Sequence, residues 1–170
     1  VVNFLFNVKS ANIIFLALLL VVGSSGCAGS ANAEPTPPAL HYGEDICEFC
    51  GMIISDERFA AGYITVDGQA HIFDDIGDML LQHQQHQDEV TALFVHDYHQ
   101  HTWLRAENAF YALSPNFPTP MLSGLAAFQT RAEAQALAAE FKGQVFSFAE
   151  LLTYYRDNPP TPALENFETN

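Results

Sequence analysis

Ten apolar residues in succession, Ile13 to Val22, form the longest such run in the chain; beyond it apolar positions alternate or recur at helical spacing. A bilayer-crossing helix needs about 20 apolar residues, so this run reads instead as the apolar stretch of an export signal. Phe59 to Val66 is rich in aromatic and β-branched residues and predicts a strand. Asp67-Gly68 predicts a hairpin turn, and Gln69 to Phe73 the returning strand. Asp74-Asp75 then opens a helix whose Ile76, Met79 and Leu80 stand on one apolar face. Val90 to Tyr98 is a third strand.

The second half repeats that order. Trp103-Leu104 and Ala109 to Leu113 read as extended, Ser114 to Pro120 as a proline-rich loop, and Leu122 to Phe128 as a strand. Thr130-Arg131-Ala132-Glu133 is a capping-box pattern, with Thr at the cap and Glu three residues on. The helix it opens carries Ala134, Leu137, Ala138 and Phe141 on one face, with Gly143 as its stop signal. Val145-Phe146 is a short strand, and Ser147-Phe148-Ala149-Glu150 is a second capping box before a last helix. The fold class expected is α+β, built from two tandem ββαβ-like units in one small domain.

Charge narrows the function. Six Lys and Arg against twenty Asp and Glu give a net charge of −14 in 170 residues. No basic surface is available for phosphates, which excludes nucleic acid as a partner. Hydrophobic residues make up 49% of the chain, too many for a disordered protein. The small residues Gly23-Ser24-Ser25-Gly26 and then Cys27 follow the apolar run, and Lys9 precedes it. That arrangement resembles the lipobox of bacterial lipoproteins, although Ser24 stands where an aliphatic residue is usual. It places a signal peptide at 1–26, a lipidated Cys27 with a flexible tether over 27–40, a folded domain over 41–156 and a tail over 157–170. Several acyl chains on one cysteine would anchor the protein to the cell envelope, outside the cytoplasm.

The chemistry concentrates in Cys47-Glu48-Phe49-Cys50-Gly51-Met52. Two cysteines at this spacing can share one ion or bond to each other, so a structural disulfide, a redox pair and half of a metal site all fit. A zinc ribbon would need a second pair, and no cysteine follows Cys50. Met52 adds a thioether, which has no part in thiol–disulfide exchange. Thiolate with thioether is the donor set that selects Cu(I). Met52 equally begins an apolar run, Met52-Ile53-Ile54, and the spacing does not decide between the two.

The stretch His41 to Ile54 resembles the signature of the NosL family, accessory lipoproteins of nitrous oxide reductase. The similarity continues through Phe73-Asp74-Asp75-Ile76-Gly77, Phe94 to Tyr98, Ser114-Pro115 and Thr119-Pro120-Met121. The resemblance implies a membrane-anchored Cu(I) metallochaperone with a pair of ββαβ units. Its implied partners are apo nitrous oxide reductase and the copper and sulfur maturation transporter that serves it. It also implies Cys50 and Met52 as copper ligands, with Cys47 beside them.

Other candidates carry less. Met121, in the proline-bounded loop Thr119-Pro120-Met121, is either a third soft ligand or an anchor for its loop. His71 reads as a half-buried strand residue, and His41 as part of the tether or a group closing over a metal. Met79, His83 and His86 share a helical face, and His96, His99 and His101 cluster at a strand end. Asp74, Asp75 and Asp78 read as helix-start residues suited to capping and to the helix dipole. No nucleophile motif, phosphate loop or His-Glu-x-x-His occurs, so an enzyme is not indicated. A thiol–disulfide lipoprotein using Cys47 and Cys50, or a copper-binding lipoprotein with another client, are the alternatives.

Overall fold

Both halves of the chain place their first strand in the middle of a sheet, flanked on each side by the next two strands. The computed structural model describes residues 34–86 and 89–158; the signal peptide, Cys27 and all but the start of the expected tail lie outside the described residues. Among the described residues, seven strands and three α-helices follow in order. They are β1 (Ala61–Thr65), β2 (Ala70–Phe73), α1 (Ile76–His86), β3 (Val90–His96), β4 (Trp103–Arg105), β5 (Phe110–Leu113), β6 (Leu125–Phe128), α2 (Arg131–Phe141), β7 (Gln144–Ser147) and α3 (Phe148–Asp157). A short 3-10 turn, Ala106–Asn108, joins β4 to β5.

The first sheet has the order β2-β1-β3-β4 and the second β6-β5-β7, with every neighbouring pair antiparallel. The α+β class and the paired ββαβ units expected from the sequence are therefore present. β4 departs from expectation: Trp103-Leu104 joins the first sheet as its edge, pairing with β3. Asp97 is the reason. Its carboxylate accepts from the amides of His99 and Gln100, and its own amide donates to Thr102 O, so the chain reverses at once onto β3. Asp97 also bridges to Ala127, and the Tyr98 amide donates to Ala127 O at 2.8 Å, which ties the two sheets together.

The predicted hairpin forms at Gly68, whose φ of +84° suits glycine. Both capping boxes form as expected, at Thr130 with Glu133 and at Ser147 with Glu150. The β6 strand starts at Leu125 rather than Leu122, because Leu122 and Gly124 adopt φ of 58° and 70° and turn the chain first. The stop after α2 also differs: Lys142 takes the left-handed position, at φ 57°. Gly143 serves close approach instead, since a Cβ there would stand 2.4 Å from Leu113 O.

Tyr63, Phe73, Ile76, Met79, Leu80, Val95, Tyr111, Leu125 and Leu151 form the main core, which draws on both sheets. Each such side chain contributes roughly 1.5–3 kcal/mol of burial free energy. A second cluster of Phe59, Phe117, Phe128 and Leu137 uses Ala112, Ala126, Ala134 and Ala138 to bring α2 close to its sheet. Part of the expected tether belongs to the domain. Pro38 is buried at Gly62, where a Cβ would stand 2.7 Å from the proline ring, and Leu40 packs on the core. Helix α3 likewise runs through Asp157, the first residue of the expected tail.

Candidate metal centre

Ile46 and Ile53 pair in an isolated antiparallel bridge, and the two cysteines occupy the tight turn between them. The Cys47 amide donates to Met52 O at 2.8 Å, and the Gly51 amide donates to Cys47 O at 2.9 Å. Gly51 has φ +74°, a conformation that a β-carbon would strain, so glycine is required for Met52 to follow Cys50 across this turn. The Glu48 amide donates to Ile72 O at 3.1 Å, which fastens the turn to β2. Cys47 is buried and Cys50 half-buried, both as free thiols.

The amino end of α1 meets this turn. Asp74, two residues before α1, and Asp78, in its first turn, are both buried. The Cys47 thiol donates to Asp78 Oδ2 at 3.5 Å, and the Cys50 thiol donates to Asp74 Oδ1 at 3.3 Å. One potential ligand atom from each of these four residues lies within 4.8 Å of the others. Burial pushes the Cys47 thiol up to about 11, opposed by backbone amides of Cys50 and Asp74 aimed at the sulfur. Burial likewise raises Cys50, and the neighbouring Cys47 sulfur and Asp74 charge add to it. Asp78 is pushed up to about 7, by burial first and by the charges of Asp75 and Asp74 after it. Both thiols therefore keep their protons near neutral pH, and a metal ion binding through sulfur must displace them.

Asp74 and Asp78 are the residues that the sequence reading assigned to the helix start and did not connect with the cysteines. Asp75 accepts from the Gly77 amide at 2.7 Å and Asp78 lies in the first turn of α1, both as expected of helix-start acids. The spacing places both acids around the start of α1, but nothing in the sequence says that this helix start meets Cys47 and Cys50.

The remaining candidates divide. Met52 is 49% exposed and outside the core, with its carbonyl accepting from the Cys47 amide. Met121 is half-buried, and its amide donates to Asp75 Oδ2 at 3.1 Å, which holds its loop against the start of α1. His41 is exposed and reaches Asp45 at 3.3 Å. His71 contacts Glu48 Oε2 at 2.7 Å and stacks on Tyr63. Met79 is fully buried in the core, and His83 lies against Tyr63; the side chain of His86 is outside the description. His96, His99 and His101 do not converge: they contact Tyr42 and Ala60, Phe128, and Glu57 respectively. Cys27 is outside the described residues. Among the described residues, no helix is long and apolar enough to cross a membrane.

Paired ββαβ units carrying a cluster of two thiols and two buried carboxylates, with an exposed methionine two residues after Cys50, define a small α+β protein suited to holding a soft metal ion. The chain belongs to the NosL family, whose model matches residues 39–155. It is 28% identical over 147 residues to the copper-binding lipoprotein NosL of Stutzerimonas stutzeri, covering 80% of this chain and 77% of that one. Its fold is similar to the crystal structure of the copper chaperone NosL from Shewanella denitrificans, with a TM-score of 0.59 at 18% identity. That match covers 68% of this chain and 96% of the other.

Proposed function

We propose that this chain is a Cu(I) carrier that binds the ion through Cys47, Cys50 and Met52, with Met121 as a further sulfur donor. The observation that carries the reading is Met52: its thioether stays half-exposed two residues after Cys50, where core packing would have hidden it. The copper-binding and copper-chaperone names of its relatives support the same cargo. Cu(I) prefers sulfur over the carboxylates, so Asp74 and Asp78 act as proton and hydrogen-bond partners of the thiols rather than as principal ligands. Binding releases the thiol protons, and Asp74 and Asp78 stand where those protons leave.

Release follows from the same exposure. A carrier must give up its ion by ligand exchange, with an incoming donor attacking before an outgoing one departs. The half-exposed Met52 and half-buried Cys50 leave one side of the ion open to that attack. The raised thiol pKa values speak against a thiol–disulfide enzyme, whose attacking cysteine needs a lowered one. Lipidation of Cys27 would hold the domain at a membrane of the cell envelope, and the client would be apo nitrous oxide reductase, reached with its maturation transporter.

Titration of the reduced chain with Cu(I) against a competing Cu(I) chelator tests the cargo; about one tightly held equivalent is expected, as for a single soft-donor cluster. Absence of competition, or unchanged binding in Cys50→Ser, overturns it. Mixing the copper-loaded chain with apo-reductase tests the client: copper that stays on the carrier counts against delivery.

A further inference from the structure

Asp75 is the buried acid at the start of α1 that takes no part in the two thiol hydrogen bonds, and its own bonds go to its helix turn and to one distant loop. Oδ1 accepts from the Gly77 amide at 2.7 Å. Oδ2 accepts from the Thr119 hydroxyl at 2.7 Å and from the Met121 amide at 3.1 Å. Burying a carboxylate costs several kcal/mol unless its lone pairs are satisfied. Here they are satisfied by its own helix turn and by a loop 44 residues further on.

That loop is held to α1 at a second point. A Cβ on Gly77 would stand 2.5 Å from Ser123 Cβ, so the first turn of α1 and the loop touch at a glycine. The loop is also closed on itself: the Leu122 amide donates to Thr119 O at 3.1 Å, and the Gly124 amide reaches Thr119 Oγ1 at 3.3 Å. Asp74, adjacent in sequence, accepts from the Cys50 thiol. One dipeptide, Asp74-Asp75, thus contacts the cysteine turn with its first carboxylate and the Met121 loop with its second.

We propose that Asp75 is the positioning residue that brings Met121 to the Cys47–Cys50 pair. The inference rests on the reading of Met121 as a copper ligand and adds the part that sets its distance from the thiols. A methionine side chain has three rotatable bonds, so a thioether donor gains most from a fixed backbone. Asp75 supplies that fixed point at the Met121 amide itself. Asn at position 75 keeps the shape, and its NH2 group belongs on the Oδ2 side, where the Thr119 hydroxyl can turn to accept from it while the carbonyl keeps the Gly77 amide, so the Met121 bond is the one lost.

The test is Cu(I) affinity by chelator competition, with the number of sulfur neighbours counted by X-ray absorption at the copper edge, in the full reduced chain. Met121→Leu should remove one sulfur neighbour and weaken binding. Asp75→Asn should remove the same neighbour and weaken binding by about 10–100-fold, the usual scale for a partner outside the ligand set. The double variant should lose no more than Met121→Leu alone. If Met121→Leu lowers the sulfur count and Asp75→Asn leaves both affinity and count unchanged, the positioning role is wrong. If Met121→Leu itself changes nothing, the ligand reading of Met121 has failed, and the inference falls with it. Circular dichroism checks folding. Should Asp75→Asn not fold, Thr119→Val decides: an unchanged sulfur count and affinity there overturns the proposal, and a fall in both supports it.

Discussion

The thiol of Cys50 lies 3.3 Å from Oδ1 of Asp74, across 24 residues of sequence. An acid beside a thiol stabilises the protonated sulfur, because thiolate and carboxylate repel. Asp74→Asn removes that repulsion, so the Cys50 thiol should titrate lower than in the parent. A fall of ~1 pKa unit raises the thiolate fraction at neutral pH by about tenfold. Alkylation of Cys50 by iodoacetamide, followed by mass spectrometry, should quicken accordingly; equal rates in parent and variant would show that burial and Cys47 hold the proton without Asp74.

Met52→Leu separates ligation from packing. At 49% exposure the side chain contributes little to the core, so the thermal midpoint should shift by no more than ~0.5 kcal/mol equivalent. Cu(I) affinity should fall because leucine offers no donor atom. Copper binding equal to the parent's would remove Met52 from the ligand set.

His96 makes the fold sensitive to acid. Its Nδ1 donates to Ala60 O at 3.0 Å and its Nε2 accepts the Tyr42 hydroxyl at 3.0 Å, an arrangement that uses the neutral ring. Burial lowers the His96 pKa below its usual value, while burial first and Glu57 second push Tyr42 up to about 12. The unfolded chain therefore takes up this proton before the folded one does. The stabilisation is complete above the unfolded value of about 6.5 and is lost as pH falls toward the folded value. Asp78 works in the opposite sense: with its pKa raised to about 7, it withdraws stability as pH rises from the carboxylate range through that value. Denaturant midpoints of parent and His96→Gln should therefore be compared across the range. The variant should lose less than the parent on acidification, and parallel curves would dismiss His96 as the source.

Lys142 and Gly143 exchange the roles that their side chains suggest. Lys142→Gly should stabilise, by up to roughly 1 kcal/mol, because a left-handed backbone strains any residue with a β-carbon. Gly143→Ala should destabilise by about 1–3 kcal/mol, since its Cβ would press on the Leu113 carbonyl. Chemical denaturation of the two variants gives both signs, and a stabilising Gly143→Ala would contradict the close approach of α2 to β5.

The secondary structure was largely legible, and local chemistry explains why. The hairpin at Asp67-Gly68, the apolar face of Ile76, Met79 and Leu80, and the boxes at Thr130 and Ser147 each depend on residues a few positions apart. The errors occurred where a distant partner decided the matter. Trp103-Leu104 was extended as expected but joined the first sheet, because Asp97 turned it back onto β3. Pro38 belonged to the domain rather than the tether, because Gly62 leaves room for its ring.

The same division runs through the metal site. The sequence by itself determined which atoms are soft: the two thiols of Cys47 and Cys50 and the Met52 thioether behind Gly51. These are properties of neighbours along the chain. Only the tertiary structure decided that Asp74 and Asp78 face those thiols and that Asp75 reaches across to Met121. A carboxylate at a helix start serves its own backbone or a distant side chain equally well, and the packing of α1 between the cysteine turn and the Thr119–Gly124 loop assigns each acid its partner.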